Sequence, residues 1–144
     1  MALIRQLKNN HILAITIGIV YVWFGALKFF PHLSPAESLA KNTIDVITMG
    51  LIPSHISIHL LATWETVVGI FLIFNIYRKK TLILALVHII LTFVPLIIFT
   101  KDSFAILPFS FTLLGQYIFK NIIIIGAIIT LYKMPENRKL IGLH

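Results

Sequence analysis

The chain has no cysteine, which excludes disulfides, thiol relays, thiolate-held iron–sulfur clusters and haem attached through sulfur. Any redox role must therefore use a bound carrier. Charge is scarce as well: 12% of the 144 residues are Asp, Glu, Lys or Arg, and only five are acids. What remains is 58% hydrophobic with a mean hydropathy of +0.96, more apolar surface than a soluble domain of this size buries. The composition is that of an integral membrane protein.

Four apolar segments, at about 11–30, 57–77, 81–99 and 109–132, approach the roughly 20 residues needed to cross a bilayer. They leave nothing for a soluble domain, so the expected architecture over residues 1–144 is a single all-α, four-helix membrane bundle. The first segment is too long for a secretory signal, carries Trp23 and Lys28 near its end and lacks a small-residue cleavage site, so it is expected to persist as a helix. Short turns at 77–80 and 100–108, the latter with Lys101, Asp102 and Ser103, make the neighbouring spans antiparallel.

The longer connection between the first two spans predicts a short amphipathic helix at the outer surface, over about 35–49. Ser34, Pro35 and Glu37 have the spacing of an N-cap, a first-turn proline and the acid of a capping box, and Gly50 and Pro53 end the helix. Leu39, Ala40, Ile44 and Ile47 form an apolar stripe, while Glu37, Lys41 and Asp45 stand four apart as ion-pair candidates. The segment is either a plain connector or a lid over the bundle.

The net charge of +7 fits either nucleic-acid binding or the excess of basic residues that orients membrane proteins. Position decides between them. Arg5 and Lys8 precede the first span, Arg78, Lys79 and Lys80 fill the second turn, and Lys133, Arg138 and Lys139 follow the fourth span. With four spans these lie on one side, so eight of the twelve basic residues face Glu136 as the only acid there. Both termini are expected to be cytoplasmic, and no nucleic-acid partner is expected.

An ionisable group in the middle of a span costs about 2.5–3.5 kcal/mol even on lenient insertion scales, so it needs a partner. At 1.5 Å per residue, Glu65 falls roughly 12 Å below the outer surface on the second helix and Lys120 roughly 10–16 Å on the fourth. Their matching depths predict an ion pair. Gln116 and Lys120, and Tyr117 and Asn121, are four apart, so the fourth helix presents a polar strip expected to face the bundle interior. His88 lies about one turn deeper than Glu65. Lys28 ends the first helix, with Gly25 leaving space beneath it, and Trp23, Phe24 and Trp64 place aromatic surface beside these groups. An apolar cavity with a few fixed polar contacts suits a small planar ligand. Ala14 with Gly18, Gly25 with Ala26, and Gly126 with Thr130 are candidate close helix contacts, and Pro95 should kink the third span by freeing the Leu91 carbonyl.

Each group also has a plain structural role. Glu65 and Lys120 could be a strut locking two helices, Lys28 could extend to headgroups, His88 could make a neutral interhelical hydrogen bond, and Trp23 could be an interfacial anchor. His11, His32, His55, His59 and His144 lie near interfaces or ends; the i, i+4 pair His55 and His59 lacks a third ligand, so no metal is expected.

These segments carry a resemblance. Residues 21–31 (YVWFGALKFFP), 64–70 (WETVVGI) and 115–121 (GQYIFKN), with 91–95 (LTFVP) more loosely, resemble signatures of the DoxX family of small four-span bacterial membrane proteins and the related YkgB-type group. The resemblance covers nearly the whole chain. It implies the bacterial cytoplasmic membrane, and its better-known members are membrane subunits of thiosulfate:quinone oxidoreductase or components of oxidative-stress systems. On that basis the chain is expected to bind a quinone or similar apolar carrier in the outer half of the bundle, with a soluble or membrane oxidoreductase subunit as partner. Lys28 and Lys120 would stabilise charge on the reduced carrier, Glu65 would hold Lys120 or exchange a proton, and the aromatics would stack on the ring. Two other readings stay open: a non-catalytic scaffold with a structural polar core, and a proton-coupled transporter, which four spans would require to be a homodimer.

Overall fold

The computed structural model describes residues 2–34, 36–106 and 108–134. Pro35, the expected first-turn proline, and Glu136, Arg138, Lys139 and His144 lie outside the described residues. Among the described residues, four helical segments are long and apolar enough to cross a membrane: Asn10–Leu27, Ser54–Ile73, Arg78–Ile98 and Leu113–Lys133. They are carried by α1 (Ala2–Leu27), by α3 (Ser54–Ile73), by α4 (Arg78–Leu91) continued as α5 (Val94–Ile98), and by α7 (Leu113–Phe119) continued as α8 (Asn121–Lys133). Between α1 and α3 lies α2 (Glu37–Ile47); between α5 and α7 lie α6 (Thr100–Ser103) and a hairpin of β1 (Phe104–Ile106) and β2 (Ser110–Phe111). Only 17–39% of each span is buried inside the molecule, and the outward faces still carry large apolar residues such as Ile19, Leu84, Ile97 and Ile122. Helices apolar all round belong inside a large core or in lipid.

α1 and α3 approach each other closely, and glycine makes the contact possible. A Cβ on Gly18 would stand 2.7 Å from the Gly69 carbonyl oxygen, and one on Gly69 would stand 2.7 Å from that of Gly18. Seven residues further along α1, a Cβ on Gly25 would meet Thr66 Oγ1 at 2.6 Å and the Ala62 carbonyl at 3.0 Å. As numbering rises on α1 it falls on α3, so the pair is antiparallel, as expected. Ala14, Ile17 and Tyr21 of α1 join Val68 and Leu72 of α3, Leu82 and Ala85 of α4, and Ile128 and Leu131 of α8 in the core. Gly126 is a correction: a Cβ there would meet nothing within 4 Å, and Thr130, exposed, only returns its hydroxyl to the Gly126 carbonyl. A small residue marks a contact only when its azimuth faces a neighbour, which composition does not reveal.

Element ends also differ from expectation. α1 begins nine residues before the expected span, the turn after α3 falls at 74–77 rather than 77–80, and the 100–108 loop is largely ordered as α6 and the hairpin. Asn75 and Tyr77 take positive φ (58° and 44°), which lets the chain reverse in so few residues. The capping box at Ser34 does not form, because α2 starts at Glu37 with Ala36 as N-cap and no side-chain cap. Instead the Glu37 carboxylate accepts from the His32 backbone N–H at 2.8 Å and from Lys41 Nζ at 2.5 Å; Asp45 is exposed. Gly50, at φ 75°, ends α2 by donating its N–H to the Asp45 carbonyl. Pro95 interrupts the third span as its missing N–H demands. The helix passes through i→i−3 bonds, from Phe93 N to Ile90 O and from Leu96 N to Phe93 O, before α5 resumes.

Candidate functional site

The two interrupted spans, with α1, α2 and α3, line a half-open cavity of about 540 Å³. α2 walls it with Leu39, Ala40, Thr43, Ile44 and Ile47, so the whole expected apolar stripe faces the cavity. The lining is mostly aliphatic and aromatic. Into it project Tyr21, Phe24 and Lys28 from α1 and the turn after it, Glu65 from α3, His88 and Thr92 from α4 and its end, and Tyr117, Lys120 and Asn121 from the fourth span.

One polar network is closed. Glu65 and Lys28 side chains are 8% and 7% exposed, and Lys28 Nζ donates to Glu65 Oε2 at 2.5 Å and to the Phe24 carbonyl at 3.3 Å. The other carboxylate oxygen, Oε1, lies 3.2 Å from His88 Nε2. His88 Nδ1 in turn lies 3.2 Å from the Tyr21 hydroxyl, which donates to the Ala85 carbonyl at 2.8 Å. With its only proton directed at Ala85, Tyr21 can only accept from His88, so Nδ1 carries a hydrogen and one further proton lies between His88 Nε2 and Glu65 Oε1. Rotation of the Tyr21 hydroxyl toward His88 makes Nδ1 the acceptor and removes its hydrogen, while a proton stays between Nε2 and Glu65 Oε1. The arrangement is a short relay able to hold or pass one proton.

The second polar group is open. Lys120 Nζ sits 4.3 Å from the centroid of the Tyr117 ring and 5.9 Å from that of Phe24, and the Phe24 and Tyr117 rings meet edge to face at 5.5 Å. Asn121 Nδ2 donates to Thr92 Oγ1 at 3.1 Å, joining the places where the third and fourth spans are interrupted.

The expected Glu65–Lys120 pair is therefore not formed. Equal depth fixes height but not azimuth, and the glycine contact of α1 with α3 brings Lys28 against Glu65 first. Lys28 also does not extend outward; it is buried. Seven of the ten expected site residues, Phe24, Lys28, Glu65, His88, Tyr117, Lys120 and Asn121, line the cavity, and three do not. Trp23 and Trp64 are 63% and 42% exposed on outward faces, because helix neighbours point about 100° apart and Phe24 and Glu65 take the inward directions. Gln116 is exposed and donates to the Phe111 carbonyl at 3.4 Å, so the polar strip of the fourth span divides. Tyr21 and Thr92 were not foreseen. The i, i+3, i+7 spacing of Tyr21, Phe24 and Lys28 was the available signal for Tyr21.

His59 Nδ1 donates to the His55 carbonyl at 2.6 Å, and its ring meets Phe29 at 6.2 Å. Among the described residues no group of three His, Cys, Asp or Glu could hold a metal ion. No family model matches the chain, and no curated protein or solved structure matches it either.

Proposed function

We propose that the chain is a DoxX-like, four-span protein of the bacterial cytoplasmic membrane that binds a quinone or similarly small apolar carrier, within a membrane redox or oxidative-stress system. Both termini lie on the cytoplasmic side, α2 rests on the outer surface, and the cavity occupies the outer half of the bundle. The observation that carries this reading is an apolar cavity of about 540 Å³ with its few polar groups at fixed positions, the lining that positions a ring with exchangeable protons on its oxygens. Phe24 and Tyr117 supply ring faces, and the Tyr21–His88–Glu65 relay supplies a proton path.

Native mass spectrometry of mildly solubilised protein, followed by organic extraction, tests it. The expected result is a co-purifying quinone-class molecule and a rise in Tm on adding quinone. Protein that carries no such molecule, and neither binds quinone nor gains stability from it, overturns the proposal. A scaffold reading is favoured by one observation, that Lys28, Glu65 and His88 saturate one another across α1, α3 and α4. A Glu65→Ala variant that lowers folded yield, with no loss of quinone binding beyond that loss of fold, would support it; a stable variant that loses quinone would not.

A further inference from the structure

The two polar groups of the cavity are not equivalent. Both oxygens of Glu65 are already bonded, one to Lys28 and one to His88, so the Lys28 charge is compensated within that network. Lys120 is different: among the described residues its Nζ has only the faces of Tyr117 and Phe24 and no carboxylate partner. The Tyr117 hydroxyl has no hydrogen-bond partner among the described residues. The cavity thus holds two lysine cations against one carboxylate, and the surplus cation stands beside a hydroxyl donor with nothing to accept from it.

We infer that the cavity selects an apolar molecule bearing one anionic oxygen, a phenolate, enolate or carboxylate, and that this oxygen docks at Lys120 Nζ and the Tyr117 hydroxyl. Lys120 is an exposed residue of the cavity lining; its ammonium has apolar and aromatic surface beside it and no counter-charge, and an acidic ligand supplies that charge where a neutral one does not. The aliphatic wall of Leu39 and Ile44 on α2 and Ile123 and Ile124 on α8 takes the apolar body. The Lys28–Glu65 pair then acts as a wall of the site rather than as its anchor. The inference rests on the reading of this cavity as a ligand site and narrows it to ligand charge and orientation.

The test compares 1,4-naphthoquinone with its acidic 2-hydroxy derivative, and adds decanoate, all titrated calorimetrically into the full chain in mild detergent. One charge-assisted contact is worth roughly tenfold or more in affinity, so the hydroxy compound should bind about tenfold more tightly than the neutral ring. Lys120→Gln should remove that preference while leaving the neutral ring within about twofold, Lys120→Arg should keep it, and acidifying below the probe's own ionisation should abolish it. Tyr117→Phe, which retains the ring, gives a second reading if Lys120→Gln folds poorly; it should weaken the acidic probe alone. Equal binding of both naphthoquinones, or equal loss of both in Lys120→Gln, overturns the inference and leaves the quinone site standing. Lys120-dependent decanoate binding with no binding of either naphthoquinone upholds the inference and removes the quinone reading. Failure of all three probes removes both.

Discussion

Breaking the Lys28–Glu65 pair should destabilise the protein strongly, while replacing both partners by apolar residues should not. The two side chains are 7% and 8% exposed and 2.5 Å apart. At an effective dielectric of about 20, unit charges at that distance attract by roughly 7 kcal/mol. Desolvating each ion costs several kcal/mol, so the intact pair nets little over apolar side chains of similar volume. Removing one partner is different, because the other charge stays buried without compensation, at about 3–5 kcal/mol. Glu65→Leu should be the worse single change, since it also strips His88 Nε2 of its acceptor. Lys28→Met with Glu65→Leu should return to within about 2 kcal/mol of the parent, giving a coupling of at least about 4 kcal/mol.

The assay is reversible unfolding in mixed micelles by added sodium dodecyl sulfate, read by the fluorescence of Trp23 and Trp64. A second cycle pairs Glu65→Leu with Lys120→Met and should show coupling under about 0.5 kcal/mol, because those residues do not touch. Coupling that small for Lys28 with Glu65, or as large for Lys120 with Glu65, would refute the electrostatic argument. The second outcome would also restore the partner that depth alone suggested.

Gly69→Ala should cost about 1–3 kcal/mol, since its Cβ would stand 2.7 Å from the Gly18 carbonyl oxygen and drive α1 from α3. Gly126→Ala, whose Cβ meets nothing within 4 Å, should instead be neutral or stabilising by up to about 1 kcal/mol through helix propensity; the same micelle titration separates them, and equal costs would contradict the contact. The Glu37 carboxyl is held below the usual carboxylate range by the Lys41 ammonium that bonds it and by the His32 N–H. A depressed folded-state value gives stability that is present above the unfolded value and lost as pH falls through the folded one. Amide protection factors in α2 should therefore decline on acidification through and below the ordinary carboxylate range, and Glu37→Gln should lose that dependence. Unchanged protection in the parent would deny the pair any role in holding α2.

What the sequence made legible was height along the spans, and what it hid was rotation about them. Run length gave the four spans, since apolar stretches near 20 residues have few other uses, and Pro95 marked the break in the third span because a missing N–H leaves no local choice. The grouping of Lys28, Glu65, His88, Lys120 and Asn121 around one cavity followed from depth. Their pairing did not, because it depends on which faces of α1 and α3 meet. Gly18, Gly25 and Gly69 decide that. Tyr21 escaped notice because a tyrosine on an aliphatic helix looks like core, and only the partners of its hydroxyl, Ala85 and His88, give it a polar role. Trp23 and Trp64 drew attention by size, yet each adjoins an inward residue and so points elsewhere. α2 was misjudged at its start rather than in its pattern, for its stripe reached the cavity although Ser34 did not cap it.

The cavity exists where two spans stop being continuous helices. Leu91, Thr92 and Pro95 line it from the break in the third span, and Lys120 and Asn121 line it from the break in the fourth. Asn121 Nδ2 bonded to Thr92 Oγ1 ties the two breaks together, so neither span can straighten without losing that contact. Beyond the first break, Ser103 at the end of α6 is fully buried, with its hydroxyl 3.4 Å from the Pro95 carbonyl, and only the absence of a side chain at Gly115 leaves room for its own carbonyl. The proline kink, the glycine and the hairpin that follows thus form one device that holds the ends of the third and fourth spans in place. On the opposite side α1 and α3 press together backbone to backbone and bring Lys28 to Glu65. One side of the cavity is fixed by contact and the other by interruption. The compensated charges lie on the first and the uncompensated lysine on the second, which is why the proposed ligand contact is set at Lys120 and the proposed proton relay at Glu65.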